Sequence, residues 1–395
     1  MAPNATRGPV GPVVLYQAEW SVLGDGVCRQ GRRQAVALAK AGVRVTLKTI
    51  NYPERDAPEA AQREVEAVRQ AGSFPMPLAI RQTVIHDAGY LENLVKAHGV
   101  SAADSIVATW WERDRVDGRI IQVLRRCAEL WVTCERNRAA FVTSGMPADK
   151  VHVVRFPLAS LPDTESPPPA PPGRRFYNIG KWEPRKNQHG LIGAFLGAFG
   201  PHDDARLLIK TRAFGGPWAG YPCIADSLRQ WIHDRAIRAR GWDERSIGAK
   251  VRVCTDNMPD AQIASLHTDH NIYVSAGHGE ALDIPALEAK QQGNRLVHVG
   301  FGGSEDYSEP EDVRVPWTLG RVHPGYHWEP DAHWATYSPQ ALSAALLQAV
   351  PRSSREGVDT LAAYSDGAVA QQMRQRIMAL AAARDRSGGH LGVLA

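Results

Sequence analysis

The chain has 395 residues, of which 44% are apolar and 22% are charged. This length and composition predict two or three domains with hydrophobic cores and exclude a disordered or fibrous protein. The 46 basic and 42 acidic residues give a net charge of only +4, which argues against a dedicated nucleic-acid binder. Five cysteines without a C-x-x-C pair argue against a disulfide scaffold and a structural zinc site.

The N-terminal residues contain no apolar segment of the kind that a secretory signal needs, and no run of 18 apolar residues follows. We therefore expect a cytoplasmic protein without a transmembrane segment, in which residues 1–12 form a flexible tail. A peripheral contact with the inner face of the membrane stays open, because Arg29, Arg32 and Arg33 are clustered in a predicted helix.

Strands and helices alternate through the first part of the chain. A strand over 13–16 leads through the turn-like residues Gly24, Asp25 and Gly26 into a helix that runs to about residue 41. The later strands are predicted over 43–47, 79–85, 105–109, 130–132 and 151–154, and the later helices near 58–70, 89–98, 118–127 and 136–144. Such alternation is typical of a parallel sheet with helices on both faces, so residues 13–165 are predicted to be one α/β domain.

A proline-rich segment over 166–173 interrupts this alternation. Five prolines in eight residues cannot join a sheet or a helix interior, so the segment predicts a stiff linker. Beyond it the pattern restarts, with strands at 175–179, 205–210, 250–254, 271–275 and 295–299 and helices near 188–199, 225–239, 259–268, 285–292, 339–350 and 358–384. We predict a second α/β domain over 174–352, a C-terminal helix and tail over 353–395, and a ligand-binding cleft between the domains.

The strongest chemical signal lies between His278 and Glu288, where a strand leads into a helix. Pro285 suits the first turn of this helix, and free amides at a helix start attract phosphate. If both were helical, Glu280 and Glu288 would lie roughly 12 Å apart, whereas the carboxylate pair of a glycoside hydrolase needs about 5–9.5 Å. We therefore expect the two carboxylates to hold different parts of one long ligand.

A second signal follows the first strand of the second domain. There the segment from Tyr177 to Asn187 places Lys181, Arg185 and Lys186 at a strand-to-helix turn. Three cations at such a turn suit a diphosphate leaving group, whose growing negative charge they would stabilise. An ordinary solvated basic turn is the alternative interpretation of this segment.

Together the two segments resemble the GT-B glycosyltransferases, specifically the retaining family 4 type, also called glycosyl transferases group 1. The turn from Gly180 to Asn187 is similar to that family's basic turn, and the segment from Glu280 to Glu288 matches its E-x7-E signature. More weakly, the segment from Ala108 to Asp114 resembles a W-E-x-D element of some members. The resemblance implies an α/β protein of GT-B architecture, in which two Rossmann-like, doubly wound domains face each other across a cleft and the C-terminal helix crosses back.

The resemblance also implies a reaction: transfer of a sugar from a nucleotide-sugar donor to an acceptor hydroxyl, with retention of anomeric configuration. It implies no metal and no cofactor, since a UDP- or GDP-linked sugar serves as co-substrate. The implied catalytic residues are Glu280, Lys186, Lys181 and Glu112. The implied donor-binding residues are Arg185, Leu282, Asp283, Ile284, Glu288, Gly279 and His278. The implied acceptor-side residues are Gly24, Asp25, Gly26 and Trp111.

Within this set, the family pattern gives the two lysines to the donor diphosphate, Glu280 to the transferred sugar and Glu288 to the ribose hydroxyls. Glu112 would orient or deprotonate the acceptor hydroxyl. Asp283 departs from the pattern because similar sequences have a glycine there, and a carboxylate would either repel phosphate or bind a sugar hydroxyl. The departure puts the identity of the donor in doubt.

Three functions stay open from the sequence. The first is sugar transfer to a glycan, a lipid-linked glycan or a natural product. The second is glycosylation of a hydroxylated base in DNA or RNA by the same fold, against which the near-neutral charge of the first domain argues. The third is a catalytically inactive GT-B protein that binds a sugar nucleotide or a partner without turnover, which Asp283 supports best.

Overall fold

The computed structural model describes residues 13–19, 26–50, 78–158, 169–212, 221–323, 331–353 and 359–386. The predicted N-terminal tail, Gly24, Asp25, the predicted helix near 58–70 and part of the proline-rich linker lie outside the described residues. Within these ranges, no helix combines the length and the apolar character needed to cross a membrane.

The first domain contains six described strands and four described α-helices. The strands are β1 (Val13–Glu19), β2 (Arg44–Ile50), β3 (Leu78–Gln82), β4 (Ser105–Thr109), β5 (Glu129–Val132) and β6 (Val151–Val153). The helices are α1 (Gly26–Lys40), α2 (Ala88–Lys96), α3 (Gly118–Leu124) and α4 (Glu135–Thr143). The strands form one parallel sheet in the order β2-β1-β3-β4-β5-β6. Every residue of β3, β4 and β5 is buried, as expected for a parallel sheet that helices cover on both faces.

The second domain repeats this architecture. Its strands are β7 (Arg174–Ile179), β8 (Ala205–Lys210), β9 (Val251–Cys254), β10 (Ile272–Ser275), β11 (Arg295–His298), β12 (Val313–Arg314), β13 (Thr318–Arg321) and β14 (His333–Thr336). Its helices are α5 (Gln188–Ala198), α6 (Ile224–His233), α7 (Arg235–Ala239), α8 (Glu244–Lys250), α9 (Asp260–Asp269), α10 (Ile284–Gln291) and α11 (Pro339–Gln348). Six strands form a parallel sheet in the order β12-β11-β10-β7-β8-β9, while β13 and β14 pair separately and antiparallel.

The prediction of one helix near 225–239 was wrong, because the chain forms two helices that meet at Asp234. The Asp234 carboxylate accepts hydrogen bonds from the amides of Ala236 and Ile237 at 2.7 and 3.2 Å. It thereby caps the start of α7, while its own extended backbone, with ψ of 119°, ends α6. The helix α8, the short strand β12 and the hairpin of β13 and β14 were not predicted at all.

The C-terminal helix α12 (Asp366–Arg386) packs on the first domain, which confirms the predicted crossing back. Val369, Met373 and Ile377 are fully buried in the core cluster that lies under β1 and β3. Its Arg376 forms an ion pair with Glu129 at the start of β5. The two domains are therefore joined by this returning helix as well as by the segment between β6 and β7.

Candidate active site

The site lies where the strand order of the second sheet reverses. The chain continues from β7 to β8 on one side and from β10 to β11 on the other, so β7 and β10 are the neighbours at a topological switch point. Open parallel sheets bind ligands outside the carboxyl ends of the strands at such a point. The basic turn follows β7 and the E-x7-E segment follows β10, so both sequence motifs meet at this edge.

The basic turn is a short 3₁₀ helix, Pro184–Lys186, that ends at Asn187. Asn187 has φ of 52°, a left-handed conformation that asparagine tolerates better than most residues, and it begins α5. Its side-chain amide donates to the Tyr337 hydroxyl at 2.8 Å. This sharp turn directs Arg185 and Lys186 back over the carboxyl end of β10.

Glu280 receives both of these cations. The Lys186 Nζ lies 2.7 Å from Glu280 Oε1, and Arg185 Nη1 lies 3.1 Å from Oε2. Arg185 also contacts Glu183 at 2.7 Å and donates to the carbonyl of Gly279 at 2.8 Å. Burial alone would raise the pKa of Glu280, but the charges of Lys186 and Arg185 hold that pKa below its ordinary value. Glu280 is therefore an anion held in a fixed position.

Two glycines, Gly302 and Gly303, allow the segment after β11 to pack directly against the backbone of residues 280–282. Gly302 has φ of 153°, and a Cβ built there would lie only 1.6 Å from the carbonyl oxygen of Glu280. A Cβ on Gly303 would lie 2.7 Å from the Cα of Leu282. Only glycine permits this close approach of two backbones, and the Glu280 amide donates to the Phe301 carbonyl at 3.2 Å.

Asp283 takes the left-handed conformation that a glycine would supply, with φ of 59°, directly before α10. Its carboxylate accepts a hydrogen bond from Ser275 and lies 3.4 Å from the Tyr273 hydroxyl. Burial raises the pKa of Asp283 to about 6, the nearby charge of Glu280 adds to this, and Lys186 opposes it. The carboxyl group is thus directed at protein hydroxyls under the helix start.

The start of α10 offers backbone donors. Among the described residues, the amides of Leu282, Asp283 and Ile284 donate to no backbone carbonyl. The side chains of Leu282 and Ile284 are buried in the apolar cluster under the sheet edge, so these two residues contribute backbone rather than side-chain groups. Free amides at the start of an α-helix are a binding site for anions such as phosphate.

The first domain supplies Glu112 to the same site. Its carboxylate lies 3.2 Å from Arg185, and its backbone approaches Gly279 so closely that a Cβ there would lie 2.1 Å from the Glu112 carbonyl oxygen. The side chain keeps 39% of its surface exposed. Withdrawal from bulk water between the domains raises the pKa of Glu112, Arg185 opposes this, and Glu280 adds to it. A carboxyl group with a raised pKa at an exposed edge can exchange a proton with a ligand.

Glu288, on α10, lies between two residues that the family pattern did not include. Its Oε1 forms an ion pair with Arg29 of α1, in the first domain, and its Oε2 lies 3.7 Å from His267 Nε2. Burial alone would raise the pKa of Glu288, but Arg29 and His267 lower it to about 2. The sequence analysis noted Arg29 only as part of a basic cluster, and no sequence signal pointed to His267.

The remaining predicted site residues have other positions. Trp111 is buried in the first-domain core, where its ring packs tilted against Phe141 and its indole nitrogen donates to the Arg115 carbonyl at 2.8 Å. It supports the Glu112 loop from inside rather than offering its ring to an acceptor. His278 stacks on Trp334 at 5.0 Å, and burial lowers its pKa.

Lys181 is half-buried at the end of β7, and its carbonyl accepts a hydrogen bond from Gln188. Gly26 begins α1, where an added Cβ would lie 3.1 Å from the Ile284 side chain of the other domain. Among the described side chains, no three from His, Cys, Asp and Glu are grouped as metal ligands would be.

Contacts on both sides of Glu112 hold the two domains together. Thr133 donates to the Ala281 carbonyl at 3.2 Å, and the His333 amide donates to the Asp114 carboxylate at 2.6 Å. The Arg136 guanidinium lies 4.1 Å from the ring centre of Phe301. The two domains are therefore in direct contact beside the charged residues of the site.

No protein-family model matches the sequence, and no curated protein matches it significantly. Solved structures do match over nearly the whole chain. The α,α-trehalose 6-phosphate synthase from Burkholderia multivorans has 11% identity and a TM-score of 0.61, covering 96% of this chain and 98% of its own.

HepE from Anabaena, solved in complex with UDP-glucose, has 13% identity and a TM-score of 0.52, covering 95% of this chain and 98% of its own. AviGT4, a glycosyltransferase involved in avilamycin A biosynthesis, has 14% identity and a TM-score of 0.53, covering 94% and 98%. Likeness at this level of identity establishes the fold. The chain thus has the GT-B fold, in which two Rossmann-like domains face each other across a cleft.

Proposed function

We propose that this chain is a glycosyltransferase that moves a sugar from a nucleotide-sugar donor to an acceptor hydroxyl. One observation carries the proposal: a basic turn, a helix start and two fixed carboxylates converge at the switch point of the second sheet and face the first domain. Lys186, Glu280 and Glu288 of this set are also selected by the sequence pattern. The structural neighbour HepE binds UDP-glucose, which supports a UDP-linked donor, and a GDP-linked donor is the alternative.

Each part of the site has a role in this proposal. Lys186 and Lys181, with the free amides at the start of α10, bind the donor diphosphate. Glu280 accepts hydrogen bonds from hydroxyls of the transferred sugar, and Glu288 accepts them from the ribose. Because the lysines and the helix start supply positive potential, the proposal needs no metal ion.

The proposed reaction breaks the bond between the anomeric carbon and the donor phosphate oxygen and forms a bond to the acceptor oxygen on the same face. The acceptor proton passes to the departing phosphate oxygen, and Lys186 stabilises the negative charge that develops there. Glu112 orients the acceptor hydroxyl from the first domain. Closure of the two domains excludes water, so that transfer is favoured over hydrolysis.

The alternative of binding without turnover rested on Asp283, which was expected to repel phosphate. Its carboxyl group accepts a hydrogen bond from Ser275 and lies 3.4 Å from the Tyr273 hydroxyl, so it is directed at protein hydroxyls under the helix start. This placement reduces the repulsion, so Asp283 gives this alternative little support. The acceptor class, including a hydroxylated base, is left to experiment.

The proposal is tested by thermal shift of the purified chain against a panel of UDP- and GDP-linked sugars. We expect one nucleotide class to raise the melting temperature of the wild type and to leave Glu288→Ala and Lys186→Ala unshifted. Glu311→Ala is the matched control, because the Glu311 side chain is 67% exposed in the same domain and should respond like the wild type.

Slow release of the nucleoside diphosphate, followed by chromatography, then identifies the sugar. A stabilising donor that shifts Glu288→Ala as much as the wild type would contradict the proposed donor site. No shift with any donor would overturn the proposed function itself.

A further inference from the structure

A chain of buried polar side chains lies behind Glu288. The Asn294 side-chain amide donates to the Tyr177 hydroxyl at 2.8 Å, and that hydroxyl lies 2.8 Å from His267 Nδ1. On the other side of the ring, His267 Nε2 faces Glu288 Oε2 at 3.7 Å. Tyr177, His267 and Asn294 are all at most 3% exposed, so water does not compete for these contacts.

The hydrogen-bond pattern assigns the proton on the imidazole. Asn294 also donates to the backbone carbonyl of His267 at 2.7 Å, which can only accept, so the nitrogen of the Asn294 amide must be on this side. The Glu288 carboxylate beside Nε2 can also only accept, so the tautomer that suits both neighbours of the ring has its proton at Nε2. In this arrangement the Tyr177 hydroxyl accepts from Asn294 and donates to His267 Nδ1. A neutral ring that accepts at Nδ1 carries its proton at Nε2, on the side of Glu288.

The last contact of the chain is not closed. His267 Nε2 and Glu288 Oε2 are both buried without a hydrogen-bond partner among the described residues. At 3.7 Å they are about half an ångström beyond a normal hydrogen bond. The opposite oxygen of Glu288, Oε1, is held by Arg29 of the first domain. Glu288 thus pairs with Arg29 on one side, while on its other side the buried Nε2–H of His267 has no acceptor within hydrogen-bond distance.

We propose that His267 is a positioning residue for Glu288. When a ligand replaces Arg29 at Oε1, Glu288 moves onto the Nε2–H of His267, which holds Oε2 and leaves Oε1 to accept from the ligand. This inference rests on the proposed function, in which the ligand at Oε1 is the ribose of a nucleotide. It predicts that His267 improves recognition of the ribose hydroxyls without contacting the nucleotide.

Two substitutions of His267 test the contributions of the two ring nitrogens separately. His267→Gln places an amide nitrogen near the position of Nε2 and keeps a donor for Glu288. His267→Asn keeps a polar group near Nδ1 for Tyr177 but has nothing that reaches Glu288. Both variants are polar and smaller than or similar to histidine, so a general packing defect would affect both.

The readout is calorimetric titration of each full-length variant with UDP and 2′-deoxy-UDP, with GDP and 2′-deoxy-GDP titrated alongside. We expect His267→Asn to weaken binding of the ribonucleotide about tenfold, as for loss of a hydrogen bond to a charged group, and His267→Gln to stay within about threefold of the wild type. The preference for the ribonucleotide over its 2′-deoxy form should shrink in His267→Asn and persist in His267→Gln. A merely structural role would change stability without changing this preference.

An unchanged preference in His267→Asn would overturn the inference, as would equal losses in both variants. If His267→Asn does not fold, Tyr177→Phe serves instead, because it removes the proton that fixes the Nδ1 acceptor and should reduce the preference in the same direction. Failure of the proposed function gives a different result, since the wild type would then bind none of the four nucleotides and both proposals would fall.

Discussion

Two lysines of the second domain lie beside carboxylates, and they differ in how the charges around them are balanced. Lys290, on α10, is completely buried and pairs with Asp312 at 2.9 Å and with Glu309. Arg352 pairs with Glu309 as well, and Arg295 lies 3.8 Å from Asp312 and 4.0 Å from Glu311, so among the described residues three cations meet three anions. Asp312 also accepts the Leu296 amide at 2.9 Å, which fixes the start of β11. This cluster is electrically balanced and closed.

Lys186 lies at the cleft in a group that is not balanced. With Arg185 it faces the carboxylates of Glu280, Glu183 and Glu112. Asp283 lies nearby, and the pKa of both Glu112 and Asp283 is raised above its ordinary value. Carboxyl groups with a shifted pKa are typical of functional sites, where a bound ligand can offset the excess negative charge. A buried cluster with equal numbers of cations and anions is typical of a structural site.

The largest effect is expected from Lys290→Met. It leaves buried carboxylates without their central cation, and breaking such a pair lowers the free energy of unfolding by about 3–5 kcal/mol. Urea denaturation measures this, with Lys96→Met as the control because the Lys96 side chain is 68% exposed. If Lys290→Met had the same unfolding free energy as the wild type, Lys290 would not be a structural lysine, and the contrast with Lys186 would be wrong. Nucleotide binding by the folded fraction should be unchanged.

Asp283→Asn tests the unbalanced cleft. The pKa of Asp283 is about 6 in the folded chain against an ordinary 3.8, so ionisation of Asp283 destabilises the fold. This destabilisation is absent below about pH 4, grows between pH 4 and pH 6, and is complete above about pH 6. Two pKa units correspond to about 3 kcal/mol, so the variant should be more stable than the wild type at pH 8 by up to that amount.

The measurement is the difference in unfolding free energy between variant and wild type at pH 4 and pH 8. Asparagine also tolerates the left-handed conformation at this position, so the backbone should be kept. Asp269→Asn, at an exposed helix end, is the control for replacing a carboxylate by an amide. If the difference in unfolding free energy were the same at pH 4 and pH 8, ionisation of Asp283 would not destabilise the folded chain.

The smallest effect is expected from Arg29→Ala, which removes the first-domain partner of Glu288. A ligand that binds Glu288 would no longer have to displace a guanidinium, so UDP or GDP should bind about three- to tenfold more tightly, corresponding to about 1 kcal/mol for a partly exposed ion pair. Calorimetric titration measures the change. Weaker binding in Arg29→Ala would make Arg29 a ligand contact instead of a competitor.

Strands of the two sheets were predictable because each is a short apolar run bounded by polar turns. β4 has the predicted bounds of Ser105 and Thr109, and the five longer strands of the second sheet, β7 to β11, fall within a residue or two of their predictions. The two-residue strand β12 was too short to predict. The hairpin of β13 and β14 was missed because β13 is largely exposed and has no apolar alternation to mark it. The break at Asp234 was missed because a single capping side chain makes it, with no proline or glycine.

The sequence alone was enough to select Lys186, Glu280 and Glu288 as candidate site residues, because they lie in two short segments whose local structure follows from turn and helix-start residues. It could not determine their partners. Arg29 lies 259 positions from Glu288, and Glu112 comes from the other domain altogether. Such contacts depend on how two separately folded sheets close on each other and on which buried polar atoms then face one another. Only the tertiary structure decides this, since neither periodicity nor local propensity carries that information.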